Sequence, residues 1–229
     1  MHKEAMLIRI SSEFCKTFLK SKKSYSEMKL ILITSPSFFL EEDNIINLLF
    51  EEGLEILHLR KPNSEPIYCE RLLKLISEKW RKKIVVHDHF YLKTEYNLMG
   101  IHLNSRHPEI PEGYKGHVSR SCHSLEEVTE WSHKCNYVFL SPIFDSISKK
   151  GYLSGFDDET LKQASKNGTI NKHVMALGGV TLENIPKIKD MGFGGAVVMG
   201  DLWKRFDSHS SANYMDLVKY FSKLRKAAD

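Results

Sequence analysis

The sequence predicts a single α/β domain in which eight strand–helix units close into a (β/α)8 TIM barrel with a short N-terminal extension. Short apolar runs rich in Ile, Leu and Val alternate with amphipathic stretches, as expected when parallel strands are buried on both faces. The 229 residues suffice for one barrel of this kind, which usually takes about 250 residues. Polar side chains follow most of the predicted strands, at the rim where such barrels carry their active sites.

The elements are predicted in order along the chain. Residues 1–27 are mostly polar, and we interpret them as an extension that precedes a barrel of residues 28–229. Strands are predicted at 30–33, 56–59, 83–87, 100–103, 116–119, 137–141, 173–177 and 195–199. Helical periodicity is clearest at 45–52, 68–80, 124–133, 182–191 and 214–224, and the fourth unit, between 104 and 114, is short and irregular. A doubly wound open sheet is the alternative, but it normally has a glycine-rich turn after its first strand, and residues 34–37 contain no glycine.

Composition limits the class of partner. Hydrophobic residues make up 41% and charged residues 27% of the chain, and the formal net charge is +4. The basic residues are scattered or paired with acids, a pattern that by itself argues for neither a nucleic acid nor a small anionic ligand. We expect a small ligand and no nucleic-acid partner. The four cysteines lack metal-binding spacings, and no apolar run reaches the roughly 18 residues of a membrane span. We therefore expect a reduced, cytoplasmic protein without a membrane partner, and pairing of two copies through exposed barrel helices stays open.

Polar residues at the strand ends form the predicted site. Since the carboxyl ends of parallel barrel strands share one rim, we expect these side chains to converge. They are His58 and Arg60 after the second strand, His87 and Asp88 after the third, His102 after the fourth, and Ser121 and His123 after the fifth.

Two glycine turns predict a phosphate site. Gly178 and Gly179 follow the seventh strand, and Met199 and Gly200 follow the eighth, where barrels commonly bind phosphate through main-chain N–H groups. Ordinary tight turns are the alternative, which we disfavour because both turns fall at the expected strands. A polar loop after the sixth strand could also hold phosphate or be a solvated basic loop; its candidate residues are Ser146, Ser148 and Lys149.

His123 is the candidate for proton transfer. It directly precedes a predicted helix, in which Ser124 and Glu127 have the spacing of a capping box. A histidine there can move a proton near neutral pH, although most histidines at helix starts only cap or pack. The adjacent His87, Asp88 and His89 do not predict a transition-metal site, because neighbouring strand residues face opposite sides.

In this order, the stretches resemble the thiamin phosphate synthase and TenI thiazole tautomerase family over about residues 29–203. The matching stretches are 30–34, 57–60, 86–89, 100–103, 121–124, 141–149, 176–179 and 196–198. The resemblance implies an enzyme of thiamin biosynthesis whose ligand is a small phosphorylated thiazole.

The departures from the family pattern concern the synthase reaction, which joins an aminopyrimidine diphosphate to a thiazole phosphate. The resemblance implies that a synthase holds Mg²⁺ with an acidic pair, of which Asp88 keeps the first member and His107 replaces the second. His58 stands at the position of a diphosphate-binding Gln, and His87 and His89 replace an Asn and an Arg. The thiazole phosphate half of the site is retained.

The resemblance therefore favours a metal-independent thiazole tautomerase that aromatises a carboxythiazole phosphate without a cofactor, with His123 as the catalytic residue. A Mg²⁺-dependent synthase, with Asp88 at the metal, is the alternative, and a non-catalytic regulatory protein that binds the phosphate ligand is a third. The predicted substrate-binding residues are His58, Arg60, His87, Asp88, His102, Ser121, Ser146, Ser148, Lys149, Gly178, Gly179, Met199 and Gly200.

Overall fold

Eight parallel strands close into a barrel in sequential order, which confirms the predicted fold. The structure is a computed structural model that describes residues 28–145, 155–206 and 214–229. The predicted extension, residues 1–27, lies outside the described residues. The strands are β1 (Lys29–Ile33), β2 (Ile56–Leu59), β3 (Ile84–Val86), β4 (Gly100–Leu103), β5 (His117–Cys122), β6 (Tyr137–Leu140), β7 (Val174–Leu177) and β8 (Gly195–Val198).

The strands bury both faces, because successive side chains point alternately into the barrel and toward the surrounding helices. One apolar cluster fills much of the barrel interior and consists of Ile31, Ile33, Ile56, Val85, Tyr137, Phe139, Met175 and Val197. A second, larger cluster lies between strands and helices and includes Leu57, Val86 and Leu140. The barrel closes where β1 pairs with β8, and Ile31 lies opposite Val197 in this pairing.

The described residues contain nine helices. They are α1 (Glu42–Glu51), α2 (Pro66–Leu75), α3 (Glu78–Arg81), α4 (Leu92–Glu95), α5 (Leu125–Trp131), α6 (Asp158–Lys166), α7 (Ile185–Asp190), α8 (Gly200–Trp203) and α9 (Tyr214–Ala228). Helix α9 packs against α1 and α7 and so covers the seam between β1 and β8. The fourth unit, which the sequence predicts to be short and irregular, has no helix between β4 and β5.

The predicted helix over residues 68–80 is wrong in one respect, because the structure divides it into α2 and α3. Ile76 ends α2 in an extended conformation with ψ 133° and is buried. The N–H of Ser77 then donates to Asn47 Oδ1 at 2.9 Å instead of continuing the helix. A contact with α1, which is distant in sequence, therefore overrides the local periodicity.

The start of α5 confirms the predicted capping residue. Ser124 Oγ accepts a hydrogen bond from the N–H of Glu127 at 3.2 Å. The Glu127 carboxylate accepts from the N–H of His123 at 2.6 Å, one residue earlier than in a standard capping box. This pair of bonds fixes the backbone of His123 at the end of β5.

No helix in the described ranges is both long enough and apolar enough to span a bilayer.

Candidate active site

Three buried histidines meet inside the barrel and form what we call the histidine cluster: His58, His87 and His102. They come from three consecutive strands of the barrel, since His58 is on β2, His87 directly follows β3 and His102 is on β4. Their side chains point inward because they share the inward parity of these strands. His58 and His102 are 0% exposed and His87 is 3% exposed. The ring centroids lie 4.1 Å apart for His87 and His102 and 5.0 Å apart for His58 and His102.

Hydrogen bonds hold the histidine cluster in place. His58 Nδ1 lies 2.9 Å from His87 Nε2, and His58 Nε2 lies 2.7 Å from the Tyr137 hydroxyl. His102 is held at both ring nitrogens, by Ser119 Oγ at 2.9 Å and by Ser121 Oγ at 2.8 Å. The predicted residues His58, His87, His102 and Ser121 therefore belong to one network.

The surroundings of the histidine cluster disfavour protonated imidazole. Burial, followed by the neighbouring histidines, holds the pKa of His58 and of His87 well below the ordinary value. Burial, followed by the positive charge of Arg60, lowers the pKa of His102 to about 3. The three rings are therefore neutral near pH 7, and each carries one N–H and one nitrogen lone pair.

Arg60 lies at the edge of the histidine cluster. It is half-buried, and burial together with nearby Arg106 lowers its pKa, while Asp88 opposes the shift. Its guanidinium forms no hydrogen bond or ion pair with any residue that the structure describes. A partly desolvated cation with unused donors is suited to bind a carboxylate or phosphate group.

Asp88 lies beside the same rim but is already paired. Arg106 donates to its Oδ1 from Nε at 3.1 Å and from Nη2 at 2.9 Å, and His107 Nε2 lies 3.3 Å from the same oxygen. Within the described ranges, Asp88 belongs to no group of three or more residues able to ligate a metal. Mg²⁺ prefers carboxylate oxygens, and a neighbouring guanidinium repels it. The residues at Asp88 therefore do not fit a Mg²⁺ site.

His123 lies on the other side of the rim and is exposed. Its Nδ1 is 3.1 Å from the carbonyl oxygen of Ser141, which follows β6. A carbonyl can only accept, so this contact favours the tautomer in which Nδ1 carries the hydrogen and Nε2 keeps the lone pair; the Ser141 hydroxyl lies 3.3 Å from the same Nδ1. The next residue, Pro142, packs closely against Gly178 in the turn after β7, since a Cβ on Gly178 would lie 2.8 Å from Pro142 Cα. The loop after β6 therefore contacts both His123 and the turn after β7.

The turn after β7 offers main-chain donors to a ligand. Gly178 has φ 98° and Gly179 has φ 62°, which glycine adopts without strain. Among the described residues, neither glycine N–H donates a hydrogen bond, while Asn184 Nδ2 holds the carbonyl of Gly179 at 2.8 Å. After β8, Met199 and Gly200 lead directly into α8. Free main-chain donors at these two strand ends are the arrangement that binds phosphate in many barrels.

The structure thus brings most of the predicted residues to one end of the barrel. The three adjacent residues after β3 have different partners: His87 joins the histidine cluster, Asp88 pairs with Arg106, and His89 Nε2 lies 2.9 Å from the carbonyl oxygen of Ser64. Ser146, Ser148 and Lys149 lie outside the described residues, so their predicted contacts with a ligand stay predictions.

Sequence reasoning missed three partners at this end of the barrel. Tyr137 lies in a strand that its sequence predicts only as apolar, although it shares the inward parity of Phe139 on β6. Ser119 lies two residues before Ser121 on β5, so its side chain points to the same inward face. Arg106 lies in the irregular fourth unit, where no periodicity indicates which way a side chain points.

Comparison with known proteins identifies relatives. The family model described as thiamine monophosphate synthase (TMP-TENI) matches residues 30–202. The thiamine-phosphate synthase of Flavobacterium johnsoniae is 25% identical over 175 residues, which cover 69% of this chain and 82% of that protein. The thiamine-phosphate synthase of Prochlorococcus marinus is 26% identical over 232 residues, and the match covers 97% of this chain but 63% of that longer protein.

A solved structure is similar over most of its length. The thiamine phosphate pyrophosphorylase from Bacteroides thetaiotaomicron is 55% identical, with a TM-score of 0.81, and the match covers 88% of this chain and 98% of that one. These names favour the synthase alternative, so they do not confirm the predicted tautomerase. They do confirm the resemblance noted from the sequence. The chain therefore belongs to the TMP-TENI family of thiamine monophosphate synthases, which are enzymes of thiamin biosynthesis.

Proposed function

We propose that this protein moves a proton within a thiazole phosphate and does so without Mg²⁺, as a thiazole tautomerase. The observation that carries the proposal is the hydrogen bond from His123 Nδ1 to the carbonyl oxygen of Ser141. This bond favours the tautomer in which Nε2 is unprotonated, and that tautomer leaves Nε2 able to take a proton from a ligand at the rim. The same nitrogen can return the proton to another atom of the ligand ring, which completes a tautomerisation.

The charges at the rim support an anionic ligand. The unpaired guanidinium of Arg60 suits a carboxylate, and the free N–H groups of Gly178 and Gly179 suit a phosphate. A carboxythiazole phosphate carries both groups. Binding at two anchors would hold the reacting carbon in a fixed position relative to His123, which lowers the entropic cost of proton transfer.

The synthase reaction is the second candidate, because the relatives with curated names are thiamine-phosphate synthases and the solved structure is called a pyrophosphorylase. In this case the ligand would be an aminopyrimidine diphosphate together with a thiazole phosphate, and Mg²⁺ would be expected at Asp88. The ion pair between Asp88 and Arg106 weighs against this candidate, since Arg106 would have to release the carboxylate before it could hold the ion.

The deciding experiment offers the full chain each set of substrates, with Mg²⁺ added and with Mg²⁺ omitted. We expect conversion of the carboxythiazole tautomer at the same rate in both conditions, and no thiamin phosphate. The variant His123→Ala should lose about 10²- to 10⁴-fold in rate, the usual contribution of a positioned acid or base. His133→Ala, at an exposed position outside the site, is the matched control and should keep the wild-type rate.

Formation of thiamin phosphate that requires Mg²⁺ would replace the tautomerase with the synthase. Binding of thiazole phosphate without turnover of either substrate set, unaffected by His123→Ala, would instead indicate the regulatory protein.

A further inference from the structure

The histidine cluster has the composition of a transition-metal site. Each of its three members offers one ring nitrogen, and these nitrogens all lie within 4.8 Å of one another. Three nitrogens bound to one Zn²⁺ at about 2.0–2.1 Å would lie roughly 3.4 Å apart in tetrahedral geometry. The His58 Nδ1 to His87 Nε2 distance is already 2.9 Å, so these two rings need only a small separation to admit an ion.

The hydrogen bonding within the cluster suits a metal. A histidine binds a metal through the lone pair of a ring nitrogen, and the contact between His58 Nδ1 and His87 Nε2 requires that one of these two nitrogens carries a lone pair. Of the pair His58 Nδ1 and His87 Nε2, one nitrogen now donates to the other. When an ion replaces this hydrogen bond, the shared hydrogen moves to the other nitrogen of the ring that donated it, and both lone pairs then face the ion.

The partners of the histidine cluster are those of a metal site. Metal-bound histidines commonly give their second ring nitrogen to a fixed oxygen, which orients the ring. The Tyr137 hydroxyl does this for His58 Nε2 at 2.7 Å. His102 has a serine hydroxyl at each nitrogen, so a hydroxyl is near whichever nitrogen does not bind the ion.

We propose that His58, His87 and His102 bind one divalent transition-metal ion, of which Zn²⁺ is the representative, inside the barrel below the rim. Three protein nitrogens leave a fourth position open for water, a serine hydroxyl or a donor atom of the ligand, which is the pattern of catalytic rather than purely structural zinc sites. Imidazole ligands select Zn²⁺, Co²⁺, Ni²⁺ or Cu²⁺ over Mg²⁺. This proposal goes beyond the proposed function and does not depend on it.

The competing explanation is a neutral hydrogen-bonded network that only fills the polar part of the barrel interior. The stacking of His87 on His102, with an interplanar angle of 24°, fits that explanation as it stands, because two ligands of one ion normally diverge more. A metal therefore requires rotation of one of these two rings. The two explanations differ in what the protein does when it is given an ion.

The test uses the full chain without a histidine tag, stripped of metals and then given Zn²⁺ or Co²⁺. We expect one equivalent of Zn²⁺ to remain after dialysis and gel filtration, by elemental analysis. Co²⁺ should give the intense visible absorption of a four-coordinate site. His87→Asn should abolish both signals, and His133→Ala, which removes an exposed imidazole, should change neither. Tyr137→Phe should weaken Zn²⁺ binding by roughly 10- to 100-fold, as loss of a partner behind a ligand commonly does.

A second measurement keeps the test valid if His87→Asn does not fold. In the wild-type chain labelled with ¹⁵N, Zn²⁺ should shift the ring nitrogens of three histidines and leave the others unchanged. Absence of binding by the wild-type chain would overturn the proposal. Undiminished Zn²⁺ binding by a folded His87→Asn variant, or ring shifts confined to exposed histidines, would show adventitious binding and would also overturn it.

Discussion

The ion pair between Lys61 and Glu42 is buried beneath the loops that follow β1 and β2. Lys61 Nζ lies 2.6 Å and 2.7 Å from the two Glu42 oxygens and also donates to the carbonyl of Ser37 at 3.0 Å. The side chains of Lys61 and Glu42 are 0% and 2% exposed. Because Lys61 directly follows Arg60, this pair positions the guanidinium that we expect to bind the ligand.

Replacement of Lys61 by Met should leave the Glu42 carboxylate buried without its partner. Such a change typically costs about 3–5 kcal/mol in the free energy of unfolding. Burial already raises the pKa of Glu42 to about 7, although the attraction of Lys61 opposes the shift. Without Lys61 the pKa of Glu42 must rise further. A carboxyl group with a raised pKa in the folded state loses stabilising free energy as the pH rises from its unfolded value of about 4.3 through its folded value.

The loss in free energy of unfolding caused by Lys61→Met should therefore be larger at about pH 8 than at about pH 5. Urea unfolding at both values measures it, and with an m-value of about 2 kcal/mol per molar the midpoint should fall by roughly 2 M at the higher pH. Adding Glu42→Leu should restore most of the stability, since a matched apolar pair replaces a buried ion pair at little cost. Lys79→Met, which breaks the exposed pair with Glu51, is the control and should change the free energy by less than about 1 kcal/mol. A deficit below about 1 kcal/mol for Lys61→Met, or one that does not depend on pH, would refute this reasoning.

Two further predictions concern the barrel interior and the turn after β7. Burial, followed by Lys29, lowers the pKa of His117 to about 4, so the stability that this neutral ring contributes above about pH 6.5 is lost as the pH falls toward 4. Between about pH 7 and pH 5, the free energy of unfolding measured in urea should fall by about 1–2 kcal/mol less in His117→Phe than in the wild-type protein. An equal fall in both proteins would contradict this prediction. Gly178 has φ 98°, and a Cβ at this position would lie 2.8 Å from Pro142 Cα, so Gly178→Ala should lower the free energy of unfolding by about 1–3 kcal/mol. The variant should also bind thiazole phosphate more weakly in calorimetry. Unchanged values would show that the turn is neither strained nor part of the site.

The strands could be predicted from the sequence because their signal is local. A run such as 195–199 is apolar over its whole length, and burial on both faces of a parallel sheet requires this. Helix α6 was harder to detect, since only Leu161 and Ala164 of its nine residues are buried and the apolar stripe is thin. Its clearest signal is Asp157, whose side chain caps the helix by accepting from the N–H of Thr160 at 2.7 Å.

The candidate site could be predicted as a set of residues but not as a set of contacts. Strand parity and position indicate that His58, His87 and His102 face inward near the rim. Which nitrogen meets which partner depends on the stagger between strands, as in the pairing of His58 with Val85 on the next strand, and no local pattern encodes that stagger. The ion pair of the predicted metal ligand Asp88 could not be predicted either, because its partner Arg106 comes from a segment without periodicity.

The barrel interior is divided, and the division bears on the kind of ligand that fits. Residues on β7, β8 and β1 fill one side with apolar groups such as Met175, Val197 and Ile31, while the other side carries the histidine cluster. Burying polar rings costs free energy unless they are hydrogen-bonded, so the network around Tyr137 and the serines is what makes that side stable. In the protein without a bound metal ion, a ligand above it would meet neutral imidazoles below and cationic or N–H donors at the rim. A flat heterocycle with an anionic substituent satisfies both surfaces, whereas a ligand with charges throughout would leave some of them unpaired against the neutral floor.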